Sequence, residues 1–151
     1  MTKNNTMMIA EIGINHNVYF FIVKKLINIT VAADCDIVKF QKRTIDKVYT
    51  LDFLDSYRES PWGTTQRAQK EGLELSAENY QEINEYCSNK GIEWMASAWD
   101  VESQKFLQQF NLKYNKVASA MLGNFELLTE IAKEGRFTYI STGMSTYEEV
   151  D

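Results

Sequence analysis

Five short apolar runs alternate with segments whose apolar residues recur at helical spacing, and this alternation limits the fold more than any other feature of the chain. The runs at residues 7–12, 36–41, 92–97, 114–118 and 137–141 have the length of strands. Residues 20–33, 76–89, 101–110 and 125–133 read as helices, and Thr146 opens another with acidic residues in its first turn. Ser76 with Asn79 is an imperfect cap, Asn124 is an N-cap, and Gly91 and Gly135 stop their helices. Strands joined through helices cross over right-handed and lie parallel. No glycine-rich phosphate fingerprint follows the first strand, so a dinucleotide-binding fold has no support. The pattern predicts an α/β chain of parallel (β/α) TIM-barrel type. Eight such units typically take about 250 residues. Five strands in 151 residues are a little over half of that, so the barrel is expected to be truncated to about five of eight strands.

Residues 42–75 break the alternation. They are polar and aromatic and contain the only proline, Pro61. Segments of this length without clear structure are functional or disordered, and Tyr49, Phe53, Tyr57 and Trp62 argue against disorder. The expectation is a long ordered excursion with a short helix near residues 51–57.

Composition narrows the function. The net charge is −5 and the pI about 5.0, which argues against a nucleic-acid binder, because phosphate neutralisation needs a basic face. An anionic small molecule remains open, since a local lysine cluster can outweigh a global acidic balance. Cys35 and Cys87 lack metal-type spacing and read as reduced core thiols. No apolar run reaches the roughly 18 residues of a membrane helix, and the polar start at 1–6 lacks the apolar stretch of a signal peptide. A cytoplasmic location is expected by default.

In parallel α/β sheets the chemistry gathers at the C-terminal ends of the strands. The first strand ends in Glu11, followed by Gly13, Asn15 and His16. The second carries Lys39 and Gln41, two apart and so on one face. The third ends in Ser97, the fourth carries Lys116 with Ser119 beyond it, and the fifth ends in Ser141-Thr142-Gly143. Taken singly, each has a bland reading: a solvated or paired charge, a cap, and for His16, the only histidine, a hydrogen-bonding turn residue. Together, two lysines and several hydroxyls at one sheet end suit a phosphate or carboxylate. A carboxylate beside them can move a proton.

The same residues carry a resemblance. Glu11-Ile12-Gly13-Ile14-Asn15-His16-Asn17 looks like the opening motif of the sialic acid synthase family, and Val38-Lys39-Phe40-Gln41-Lys42-Arg43-Thr44 like its second strand. Glu59-Ser60-Pro61-Trp62-Gly63-Thr64-Thr65, Ala96-Ser97-Ala98-Trp99-Asp100, Lys116-Val117-Ala118-Ser119-Ala120 and Ser141-Thr142-Gly143-Met144-Ser145 continue the match in order. The resemblance implies a TIM barrel followed by an antifreeze-like domain, working as a homodimer. It implies condensation of phosphoenolpyruvate with N-acetylmannosamine or a related N-acetylated amino sugar to a nonulosonic acid, with release of phosphate. It also implies a divalent metal, manganese or magnesium. Glu11 would be the acid/base group. Lys39, Ser97, Lys116, Ser119 and Ser141 would hold phosphoenolpyruvate, and Gln41 would face the amino sugar.

Residues 1–151 would then be the N-terminal part of the barrel, with the antifreeze-like domain absent. The family's two metal-binding histidines come from later strands, so no metal ligand is expected in this chain. An open half barrel leaves two sheet edges and an apolar helix face uncovered. The chain is therefore expected to be inactive alone. The alternatives are a non-catalytic remnant or interaction module of the family, and another phosphoenolpyruvate-using barrel with a different acceptor. Two departures from the family pattern stand out. Val18-Tyr19-Phe20-Phe21 replaces a small glycine and an acidic residue, and Ala33-Asp34-Cys35-Asp36 replaces Ala-Gly-Ala-Asp. Losing a turn glycine is expected to strain the backbone.

Overall fold

The structure is a computed structural model that describes residues 6–151, so the polar start lies, apart from Thr6, outside the described residues. The chain runs β1 (Ile9–Gly13), α1 (Phe20–Ala32) and β2 (Ile37–Lys42), then an excursion. The excursion holds α2 (Ile45–Val48), α3 (Leu51–Asp55), β3 (Tyr57–Ser60), β4 (Gly63–Thr65) and α4 (Gln66–Glu71). The chain continues with α5 (Ala77–Lys90), β5 (Glu93–Ala98), α6 (Val101–Gln108) and β6 (Tyr114–Val117). A 3-10 turn at Ser119–Met121, α7 (Phe125–Ala132), β7 (Phe137–Ile140) and α8 (Tyr147–Val150) follow.

Strands β1, β2, β5, β6 and β7 pair in that order, each parallel to its neighbour. This is the sheet of a partial (β/α) barrel, as the alternation predicts. Side chains alternate across a strand. One face, with Val38, Phe40, Trp94, Ala96, Ala98 and Val117, packs on the apolar stripes of α1, α5, α6 and α7. Tyr80, Trp94, Phe106 and Phe110 interlock there, mostly edge to face or tilted. The other face carries Lys39, Gln41, Ser97 and Lys116, and the sheet curls around it. Met7 Sδ lies 3.0 Å from Tyr139 Oη, although β1 and β7 are the outer strands.

Local signals explain the helix ends. Ser76 and Asn79 close a full capping box rather than an imperfect cap, and Gly91 ends α5 with φ +67°. Asn124 caps α7 through the Leu127 N–H at 3.1 Å. The excursion corrects the sequence reading. The expected helix ends at Asp55, and Tyr57 begins a hairpin that sequence analysis does not find. Tyr57, Arg58 and Glu59 are all exposed, so β3 has no alternating apolar signal. Ser60 Oγ binds both the Gly63 carbonyl and the Trp62 N–H, and the Trp62 ring lies where a Cβ on Gly72 would be. That contact fastens the hairpin to the end of α4.

Both departures from the family pattern fall on left-handed backbone. Val18 has φ +63° and Asp34 φ +55°. The aromatics Tyr19 and Phe21 that follow the first are exposed. Both cysteines are free thiols, and burial pushes that of Cys87 up to about 12. Among the described residues no helix is long and apolar enough to cross a membrane.

Candidate active site

Parallel pairing brings the predicted residues to one end of the sheet. Glu11 is in register with Lys39, Gln41 with Ser97, and Ser97 with Lys116. Glu11, Lys39, Gln41, Ser97, Lys116, Ser119 and Ser141 together line one cleft of about 220 Å³. Trp99 and Ala118 complete its wall. No role was read for Trp99 from sequence, yet its spacing of two from Ser97 is the signal that puts it on the same face.

Lys39 is buried and held from two sides. Its Nζ lies 2.6 Å from Glu11 Oε2 and donates to Ser97 Oγ at 3.1 Å. Glu11 remains half exposed at the rim. Gly13 allows this packing: it adopts φ +54°, and a Cβ there would come within 2.9 Å of Glu11 Oε1 and 3.3 Å of Gln41 Nε2. The Gln41 carbonyl is fixed from behind by the hydroxyl of the fully buried Tyr80, at 2.5 Å. Asp100 ties the ends of β2 and β5 together, accepting from the Thr44 N–H at 2.7 Å while capping α6.

Lys116 sits opposite. Its Nζ donates to Ser141 Oγ at 2.6 Å and to the Val117 carbonyl. Burial, then the positive charge of Lys39, hold its pKa below the usual lysine value, and Glu11 works the other way. Ser119 opens the 3-10 turn after β6 and packs against Gly143, whose Cβ position lies 3.6 Å from Ser119 Oγ. Two ammonium groups, three hydroxyls and one carboxylate thus converge on a space the size of a small anion. The ammonium groups can offset anionic charge, the hydroxyls can hydrogen-bond its oxygens, and the carboxylate can move a proton.

A metal centre does not fit the residues present. Among the described residues no three His, Cys, Asp or Glu side chains gather to hold one. His16 is buried, and its Nδ1 accepts from the Val18 N–H at 2.9 Å, which makes it a turn residue as read from sequence. Burial lowers its pKa, opposed by a hydrogen bond to the Gly13 backbone.

Known proteins share the sequence and the fold of this chain. The chain is 35% identical over 150 residues to the N-acetylneuraminate-9-phosphate synthase of Drosophila melanogaster. The match covers 98% of this chain and 40% of the fly protein. It is 32% identical to the N,N'-diacetyllegionaminic acid synthase of Legionella pneumophila, over 95% of this chain and 41% of the relative. The chain thus spans about two fifths of the curated relatives it matches. The crystal structure of the N-acetylneuraminic acid (sialic acid) synthetase of Leptospira borgpetersenii superposes with a TM-score of 0.83 at 21% identity. That superposition covers 97% of this chain and 48% of the synthetase. The family model described as the NeuB family matches residues 26–151, and the chain belongs to that family.

Proposed function

We propose that these 151 residues form the phosphoenolpyruvate-binding part of a nonulosonic acid synthase site and, taken alone, do not catalyse the condensation. The single observation that carries the first half is the convergence of Lys39 and Lys116 with Ser97, Ser119 and Ser141 around one cleft. Phosphoenolpyruvate has a phosphate and a carboxylate. Lys39 with Ser97 binds one end, and Lys116 with Ser141 and Ser119 binds the other. The Lys39 ammonium is buried and that of Lys116 half-buried, so less water competes for such oxygens than at the surface. Glu11 at the rim exchanges a proton with the reacting group, and Gln41 beside it meets the amino sugar. The acceptor is N-acetylmannosamine or a related sugar. The relatives are named for a 9-phosphate product in the fly and for a diacetylated acid in Legionella, so the names leave the acceptor's phosphate open.

The second half rests on the donor set: among the described residues the family's metal finds no cluster of ligands, and His16 is engaged in its own turn. The outer strand β7 also leaves large side chains uncovered, with Phe137 65% and Ile140 50% exposed. This favours a non-catalytic piece of the family's barrel over a self-sufficient enzyme. A dimer, a cytoplasmic location, where phosphoenolpyruvate is made, and no nucleic-acid partner belong to the same reading.

The test is to incubate the purified chain with phosphoenolpyruvate, N-acetylmannosamine and manganese. Phosphate release and nonulosonic acid formation are followed together. The expected result is no product above a Glu11→Ala control. Product well above that control would contradict the non-catalytic reading.

A further inference from the structure

Helix α1 is apolar on more than the side it buries. Val23, Ile27 and Thr30 face the core. Phe21, Lys25, Asn28 and Ala32 recur at helical spacing along an exposed stripe. Phe21 is 62% exposed, as is Tyr19 just before the helix at 67%. A helix that is apolar all round is normally covered all round. Its only charges are Lys24 and Lys25, with no acid. Lys25 Nζ lies 4.4 Å from the centre of the Phe21 ring, and among the described residues no carboxylate pairs with it. Phe21 belongs to the segment that replaces a small glycine and an acidic residue of the family pattern, so this aromatic is the chain's own feature.

Helix α5 lies beside α1 and presents the opposite charge. Glu78, Glu82, Glu85 and Asn89 form its exposed stripe, with the same spacing as the stripe on α1. Two contacts fix the height of one helix against the other. Lys24 Nζ meets Glu82 Oε2 at 3.3 Å, and the Tyr86 hydroxyl donates to Asn28 Oδ1 at 3.0 Å. Both pairs are 58 residues apart, so the helices run parallel, turn for turn. Lys25 is therefore level with the turn from Glu82 to Glu85. Glu82 is engaged by Lys24, whereas Glu85 accepts only from the Gln81 amide at 3.0 Å and meets no cation among the described residues.

A cationic, aromatic stripe and an acidic stripe thus stand side by side, parallel and level, and the surface is its own complement. A two-fold rotation about an axis between the helices and parallel to them lays α1 of one copy along α5 of a second. The same rotation lays α5 along α1, with no shift in height. The Glu78, Glu82 and Glu85 stripe repels an anionic lipid surface or an acidic partner, and Lys25 repels a basic one. A second copy answers both stripes at once.

We infer that α1 and α5 form a two-fold interface between two copies of this chain, with α1 of each copy lying along α5 of the other. Lys25 of one copy pairs with Glu85 of the other, twice over. Phe21, level with Glu78, packs on the side-chain stems of the facing helix. The inference rests on the proposed function only for the expectation of a dimer, and no residue of the cleft takes part in the interface.

The experiment is sedimentation equilibrium of the purified chain, of Lys25→Glu, of Glu85→Lys, and of an equimolar mixture of the two variants. Both positions are exposed, and circular dichroism checks that each variant folds. The unvaried chain is expected to form a dimer. Each variant alone brings like charges together twice, so its dimer is expected to be at least about tenfold weaker. In the mixture both contacts are opposite in sign again, and a heterodimer within about threefold of the unvaried affinity is expected. A chain that stays monomeric at every concentration, a dimer that neither substitution weakens, or a mixture no tighter than its components would overturn the interface. Phosphoenolpyruvate is titrated into the same samples. Its failure to bind would count against the reading of the cleft, which is a separate result.

Discussion

Glu11 Oε2 lies 2.6 Å from Lys39 Nζ, so the first two strands meet in an ion pair at the mouth of the cleft. Glu11 is half exposed and Lys39 is buried, so the carboxylate is the partner that can swing away. An incoming anion must compete with it. Glu11→Gln is therefore expected to bind phosphoenolpyruvate about fivefold more tightly, since one rim charge is worth about 1 kcal/mol. Titration calorimetry on both chains measures this. Weaker binding by the variant would mean that Glu11 holds the ligand rather than competing with it.

Tyr80 connects the core to the site. Its ring is fully buried among Trp94, Phe106 and Phe110, and its hydroxyl holds the Gln41 carbonyl. Tyr80→Phe keeps the packing and leaves the carbonyl short of a donor. The expected loss is about 1–3 kcal/mol of stability in urea unfolding. A change below a few tenths would show that the carbonyl finds another donor.

The turn after β1 stores strain. A β-branched residue in left-handed backbone costs about 1–2 kcal/mol, and Val18 sits at φ +63°. Glycine relieves that cost but adds freedom to the unfolded chain. Val18→Gly is expected to gain about 1 kcal/mol net, a rise of about 2–4 °C in Tm. Asp34→Gly, at φ +55°, is expected to gain less, because Asp tolerates this region better. A lower Tm for Val18→Gly would mean that its side chain contributes more than its backbone costs.

His16 makes stability depend on pH. Its folded pKa is lowered, chiefly by burial, below the ordinary value of 6.5. Between the two values the unfolded chain binds more protons, so stability rises with pH. His16's contribution is fully present above 6.5 and is lost as pH falls through the folded value. His16→Asn can still accept from the Val18 N–H through an Asx turn and removes the titration. Urea unfolding at pH 7 and pH 5 is expected to show a smaller stability drop for the variant. Equal drops would place the acid sensitivity elsewhere.

Strands β1, β2 and β5 were legible because each is apolar on its helix-facing side and ends in polar residues. Lys39, Gln41, Ser97 and Lys116 could be put on one face from spacing alone, and parallel pairing then aligns them. The hairpin was not legible. Its fastening depends on Trp62 covering Gly72, a contact between residues ten apart with no periodic trace. Tyr80 reads as an ordinary helix core residue, because nothing local shows that its hydroxyl reaches a strand 39 residues away. The strain at Val18 and Asp34 was legible only because glycine was expected at those turns.

The measurement that tests the central claim most directly is a titration of phosphoenolpyruvate into the unvaried chain and into Lys116→Met. The account predicts saturable one-to-one binding that weakens at least about tenfold in the variant, the worth of a charge-assisted bond. Because the Lys116 pKa is lowered, affinity should begin to fall with rising pH before the ordinary lysine range is reached. Absence of binding, or binding that Lys116→Met leaves unchanged, would contradict the claim that this cleft holds the phosphoenolpyruvate anion.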